Sequence, residues 1–376
     1  MLIRITNTPR PYAWGSTTAI ADLLGTEPSG GPEAELWLGA HPGSPARIVE
    51  GAAEEGLAQW AASHAPGGRM PLLLKVLAAS APLSLQAHPT LEQAREGFAR
   101  ENRLGVALDA PERNYKDPFP KPELLLALSD PFRALCGFRP VEESRTDLES
   151  LADSRLVPLL TRLVDDSSLA SVVGWLLERG DGVDEVITAL SEHASGVAGD
   201  ERGAWLGSAR MLVDHHPADP GIAISTLLHT VLLRPGEALY LPAGNIHAYL
   251  EGVGIELMAA SDNVLRGGLT AKHIDVPELL RVLDARPMPA PYLEPEHPTP
   301  AVAVFRPDAV GFALLDVAVT PGNELLVETA PLAVALCLEG AVDLDGETLE
   351  RGEAAVIVTG TPRLSGKGRV VIATIA

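Results

Sequence analysis

The chain has 376 residues, with 29 Lys and Arg set against 50 Asp and Glu, a formal net charge of −21. That balance argues against a nucleic-acid partner, which needs a basic face to displace counterions, and against a polybasic membrane surface. Hydrophobic residues make up 46% and charged residues 21%, which excludes a disordered chain. With 35 Gly and 32 Pro, many short strands joined by turns are expected, in two or three domains at about 150 residues each.

The first residues carry no apolar export segment, and no apolar run reaches the roughly 18 residues that a bilayer span needs, so a cytoplasmic protein is expected. Leu72 to Leu77 has the length of a buried strand, and Pro82 to Pro89 alternates like a second one until Pro89 stops it. Thr90, with Gln93 three residues later, opens a helix reaching Asn102. The character changes after about 143. Leu156, Leu159, Leu160, Leu163 and Val164 fall at helical spacing, as do three further sets starting at Leu169, Val183 and Trp205. These predict a helical subdomain with a structural role, since its polar faces show no cluster of ligand-type residues. Strands resume over Thr226–Leu233, Ala238–Leu241 and Ile246–Leu250, separated by turns at 234–237 and 242–245. Residues 273 to 284 read as a helix and Arg286 to Pro300 as a proline-rich linker before a final set of strands. The two cysteines, Cys136 and Cys337, are too few for a disulfide framework and read as core thiols.

An internal echo links the last two strand regions. Arg234-Pro235-Gly236-Glu237-Ala238 is matched by Arg351-Gly352-Glu353-Ala354, and Gly244 by Gly360. The copies differ at His247, whose equivalent slot holds Arg363. A second copy of one β unit is expected, without a metal ligand.

The chemistry concentrates on four residues. Gln86 and His88 lie two apart in a strand-like segment and share a face. His247 follows the run Gly236, Pro242, Ala243, Gly244 at the spacing of the second cupin motif, whose sharp turns aim the histidine into a barrel mouth. The first cupin motif usually supplies two histidines and then a glutamate; here Gln86 replaces the first histidine, and the best glutamate is Glu123, in Lys121-Pro122-Glu123. Two imidazoles, a carboxylate and an amide oxygen suit one zinc ion, with other divalent metals as alternatives. Lys75, Lys121, Arg266 and Lys272 flank these segments, and in an acidic chain such a concentration of cations points to an anionic group such as a phosphate.

Several segments together resemble the type I mannose-6-phosphate isomerases. They are Tyr12-Ala13-Trp14-Gly15-Ser16, Ala34 to Pro42, Leu83 to Pro89, Tyr115-Lys116-Asp117 with Lys121-Pro122-Glu123, Pro242 to Tyr249, and Gly254 to Met258 running through Ser261-Asp262-Asn263 to Arg266. The resemblance implies a mainly β fold with an α insertion: a cupin jelly-roll core, an inserted helical domain and a degenerate C-terminal β-barrel. The domains expected are a cupin domain in two parts, 1–142 and 218–285, a helical insertion over 143–217, and a cupin-like β domain without a metal site over 286–376. It also implies a zinc site at Gln86, His88, Glu123 and His247, and interconversion of mannose 6-phosphate and fructose 6-phosphate. Arg266 matches the family's active-site arginine. Lys75, Ser84, Lys121 and Lys272 match pocket positions, and Trp14 and Asp262 lie in matched segments and are expected to bind substrate. Family members often carry a histidine just before the Lys-Pro-Glu, where this chain has Pro120, so a proton relay through that histidine is not expected here.

The reaction implied is proton transfer between C2 and C1 through an enediolate, with Arg266 stabilising the negative charge and Glu256 or Lys121 moving the proton. The partner expected is a small sugar phosphate, with no nucleic acid and no membrane, and the chain is expected to be a monomer. Two other functions fit parts of the pattern. One is a ferrous cupin oxygenase using His88, His247 and Glu123; the other is a non-catalytic sugar-phosphate-binding cupin.

Overall fold

A computed structural model describes residues 2–49, 56–196, 205–308 and 310–375. Of the helical stretch expected over 143–217, residues 197–204 lie outside that description. The chain is mostly β with helices, built on two antiparallel sheets. No helix among the described residues is long and apolar enough to cross a membrane.

The first sheet is organised around the long strand His247–Ala259. It pairs with Leu72–Ala79 and Glu123–Ala127 along one part of its length and with Phe132–Phe138 and Gln86–Ala87 along the other. Every residue of Leu72–Ala79 and of Glu123–Ala127 is buried, so the strands read as near-continuous apolar runs interrupted only by Lys75 and Glu123. Leu77, Ala79, Leu125, Ala127, Leu239, Leu241 and Tyr249 pack together inside this sheet. Lys75 stands two residues before Leu77, and Glu123 two before Leu125, so these polar side chains share the face of that cluster and enter an apolar interior.

Local signals explain several elements. Thr90 caps the helix Leu91–Arg103 through a reciprocal pair of bonds with Gln93, of 3.2 and 2.9 Å. Gly236 and Gly244 take φ of 92° and 81° at the turns that flank Ala238–Leu241. In sequence between the two parts of the first sheet stand the helices Val141–Ser150, Val157–Arg162, Leu169–Leu177, Val183–Ser195, Trp205–His215 and Gly221–Ser225, whose apolar faces share one core with Leu135, Phe138, Ala248 and Leu250 of the sheet.

Four expectations are corrected. The first helix of this region opens at Val141, inside the stretch assigned to the cupin part. Val164 is exposed because the helix stops at Arg162, after which the backbone of Leu163 is no longer helical. The strand expected over Pro82–Pro89 shrinks to Gln86–Ala87, since Leu83 and Leu85 donate instead to the carbonyls of Tyr249 and Gly268. The proline-rich stretch from Arg286 is not a free linker: Pro291 accepts from Tyr240, Leu293 donates to Ala238, and a strand forms over Glu296–Thr299. Proline removes donors but keeps carbonyls, which is enough to lie along a sheet edge.

The second sheet contains the strands after 296, and also Leu2–Thr6 and Arg47–Ile48 from the N-terminal stretch. Its strands Ala354–Ile357 and Arg363–Ile375 stand at one constant offset from Ala238–Leu241 and His247–Ala259. Register identifies what occupies the equivalent places. Glu123 faces Leu241, and Ala333 faces Ile357; Lys75 faces Glu256, and Leu315 faces Ile372. Arg363 opens its strand where His247 opens the other. At the places of Glu123, Lys75 and Glu256 the second sheet thus carries Ala333, Leu315 and Ile372 in one apolar core, and at that of His247 an exposed arginine.

Candidate active site

Register places the key side chains beside one another. Arg266 pairs with Gln86, and Gln86 with His247, across three neighbouring strands, and directly opposed residues project to the same face. The turn before His247 is tied to His88 by the Gly244 amide, which donates to the His88 carbonyl at 2.8 Å. A side chain at Gly244 would meet Asp284 and the Val282 carbonyl at 3.1 Å, so the close approach needs glycine there.

His88, Glu123 and His247 are each 1% exposed, and one ligand atom from each lies within 4.8 Å of the others. The Nδ1 of His88 lies 2.7 Å from the Asn263 carbonyl, and that of His247 lies 3.1 Å from the Asn245 carbonyl. A carbonyl only accepts, so each ring donates from Nδ1, and in the neutral ring Nε2 is then the free lone pair. Both Nε2 atoms stand 3.2 Å from oxygens of Glu123. Acceptors are thereby turned toward acceptors, and His88 Nε2 and Glu123 Oε2 have no hydrogen-bond partner among the described residues. A buried arrangement of this kind fits a cation held between them. The Gln86 amide adjoins at 3.4 Å from His247 Nε2. Burial, followed by the Lys121 charge, lowers the His88 pKa to about 4 and keeps the ring neutral. Burial would raise the Glu123 pKa, but Lys121 at 2.8 Å and His88 hold it well below the usual carboxylate range. Both are in the protonation state that a metal ligand requires.

Asn263 ties two ligand-bearing segments together. Its carbonyl holds His88, while its side-chain amide accepts from the Lys116 amide at 2.7 Å and donates to the Asp117 and Phe119 carbonyls, each at 2.8 Å, on the approach to Glu123. Asn263→Ala keeps the backbone carbonyl on His88 but removes the side-chain bonds that hold residues 116–119 on the approach to Glu123; it is expected to lower zinc affinity about tenfold, the lower end of outer-partner effects, read by competition with a chromogenic chelator.

Above the cluster opens a cavity of about 610 Å³, lined among others by Trp14, Ser84, Gln86, Lys121, Glu123 and Glu256, with Lys272 at its edge. Lys75 lines it as well, 2.8 Å from Glu256 and 3.5 Å from Glu35. Burial alone would lower the Lys75 pKa, but Glu256 and Glu35 raise it above its ordinary value. Glu256 is itself raised: burial exceeds the pull of Lys75, and Glu123 and Glu35 push the same way as burial. Lys75→Met leaves two buried carboxylates without their cation and is expected to cost about 3–5 kcal/mol, measured by denaturant unfolding of the zinc-loaded protein.

Arg266 also lines the cavity, half-buried, and its guanidinium has no hydrogen bond or ion pair among the described residues. Burial lowers its pKa. An unpaired, partly desolvated guanidinium is an anion site. Asp262 is not among the residues lining the cavity; it faces His41 at 3.4 Å, with its backbone amide on Asp117. Glu35, Asn245, Asn263 and Tyr249 were not singled out in the sequence, although all four stand in the segments that carry the resemblance. His215 and His216 reach the cavity from the helical region, which is therefore not remote from it.

Comparison with known proteins gives a consistent set of relatives. A family model described as the phosphomannose isomerase type I catalytic domain matches residues 2–141. Mannose-6-phosphate isomerase of Escherichia coli (strain K12) is 35% identical, covering 97% of this chain and 97% of that protein. The Homo sapiens mannose-6-phosphate isomerase is 35% identical over 73% of this chain and 71% of its own length. A crystal structure of mannose 6-phosphate isomerase bound with zinc and yttrium superposes with a TM-score of 0.88 at 34% identity, covering 100% of this chain and 99% of that one. A holo, zinc-bound structure of mannose 6-phosphate isomerase gives the same score and identity.

Proposed function

The chain belongs to the type I phosphomannose isomerase family, and from that premise we propose that it interconverts mannose 6-phosphate and fructose 6-phosphate with one zinc ion per chain. The observation that carries this reading is the buried His88–Glu123–His247 cluster, with its unsatisfied lone pairs, at the base of a cavity that holds an unpaired Arg266. Identity to isomerases along nearly the whole chain supports it over the oxygenase and the non-catalytic sensor.

His88, Glu123, His247 and the Gln86 amide would hold the zinc, which supplies polarisation of sugar oxygens and fixes their orientation. Arg266 offsets the negative charge that develops on the enediolate oxygens. Glu256 takes the proton from C2 and returns it to C1, while the O2 hydroxyl proton passes to O1, so that C2 becomes the carbonyl and O1 the hydroxyl. The raised pKa of Glu256 suits both steps, and although it is paired with Lys75 at 2.8 Å it stands outside the proposed ligand set, whereas Lys121 is paired at 2.8 Å with the ligand Glu123. Lys272 and Ser84, which line the cavity, meet the phosphate, and Trp14 supplies an aromatic wall.

The architecture proposed is a cupin jelly-roll core around the cavity, a helical insertion, and a degenerate second barrel. Its domain boundaries are near 142, 217 and 285, and the N-terminal strand is lent to the second barrel. Ala333, Leu315, Ile372 and Arg363 in the equivalent places support the absence of a metal there. The deciding experiment is a coupled assay of mannose 6-phosphate conversion with zinc, after chelation, and after zinc is returned. Turnover lost and regained with the metal supports the reading; a zinc-replete sample that binds the sugar phosphate without turnover overturns it.

A further inference from the structure

The loop carrying Lys272 is held in an unfavourable conformation by one carboxylate of the helical region. Leu269 has φ of 56° and is 1% exposed, a left-handed backbone that a branched side chain rarely adopts. Its amide donates to Asp219 Oδ1 at 2.8 Å, and the same oxygen accepts from the Gly221 amide at 2.7 Å. The contact is tight from both sides: a side chain at Gly221 would meet Leu269 at 2.7 Å, and one at Gly268 would meet Asp219 Oδ1 at 3.0 Å. On the far side the loop is pinned to the ligand strand, with Gly267 donating to the Leu85 carbonyl at 2.8 Å and Leu85 donating to the Gly268 carbonyl at 3.1 Å. Leu269, Thr270, Ala271 and Lys272 then line the cavity directly, and Asp219 does not.

We propose that Asp219 is a positioning residue for sugar-phosphate binding: it clamps Leu269 in its left-handed conformation and so presents the Thr270–Lys272 segment to the phosphate. This rests on the reading of the cavity as a sugar-phosphate site. It gives the helical region a second task besides packing, since Asp219 lies in the short connection between the helices Trp205–His215 and Gly221–Ser225. Without the clamp, Leu269 returns to an ordinary backbone conformation and Lys272 leaves its place, while the zinc ligands stand on strands that Asp219 does not touch.

The test compares zinc-loaded parent, Asp219→Ala and Asp219→Asn. The measurements are zinc content, KM and kcat for mannose 6-phosphate, and the calorimetric Kd of glucitol 6-phosphate, which has no carbonyl and cannot isomerise. For Asp219→Ala, KM and Kd are expected to rise about tenfold while kcat falls less than about threefold and zinc stays at one per chain. Asp219→Asn keeps a carbonyl oxygen able to accept both amides and should remain within about twofold of the parent. If Asp219→Ala does not fold, Gly268→Ala, which pushes the carboxylate away from the other side, should show the same selective loss. An unchanged Kd, an Asp219→Asn as weak as Asp219→Ala, or a zinc content that falls as Kd rises overturns the proposal. Turnover by the parent tests the isomerase reading separately, so a parent that binds glucitol 6-phosphate without turning over leaves the Kd comparison decisive for Asp219.

Discussion

His247→Ala is expected to lose both zinc and turnover. His247 Nε2 is one of three buried ligand atoms clustered within 4.8 Å, and alanine offers no replacement. Losing an outer partner of a ligand already costs 10- to 100-fold in affinity, so losing the ligand itself should cost at least about 10²-fold. Isomerase activity should fall to about 1% or less of the parent's at micromolar zinc. The fold should survive, because the imidazole is replaced at the start of a strand whose other residues, from Ala248 to Ala259, keep their sheet partners. Metal analysis after gel filtration, together with the coupled assay, reads both effects. A variant that retained stoichiometric zinc would remove His247 from the ligand set.

Arg266→Ala should separate metal from chemistry. Arg266 pairs in register with Gln86 and lines the cavity, yet it contacts none of the clustered ligand atoms. Zinc content should therefore stay at the parental value. The guanidinium has no partner among the described residues and sits half-buried, where a charge interacts more strongly with a developing anion than it does in water. Removing one preorganised donor of this kind typically costs 10²–10³ in kcat, and that is the expected loss. Arg266→Lys should recover little of it, because an ammonium does not reproduce the planar fork. Steady-state kinetics on zinc-loaded protein decide the matter, and parental turnover in Arg266→Ala would take the residue out of the mechanism.

The parts of the site that could be read from sequence are those whose geometry is local. Gln86 and His88 share a face because they lie two apart on an extended segment, and His247 is announced by the Gly236, Pro242, Gly244 spacing, where both glycines adopt positive φ. The Thr90 capping box was legible for the same reason. What escaped depends on register between distant segments. Nothing local says that Lys75 lies opposite Glu256, or that Asn263 spans from His88 to the segment before Glu123. The N-terminal strand could not be assigned to the second sheet, because its partner Ala354–Ile357 is nearly the whole chain away. Asp262 was singled out because it lies in a segment that carries the resemblance, and sequence alone does not show that it faces His41.

The central claim is that a single divalent ion sits among Gln86, His88, Glu123 and His247, and anomalous diffraction from active crystals at the zinc edge tests it most directly. One peak about 2.0–2.1 Å from both His88 Nε2 and His247 Nε2, with a Glu123 oxygen at a similar distance, is the predicted result. Active crystals with no peak between those rings, or with the ion held elsewhere, would contradict it.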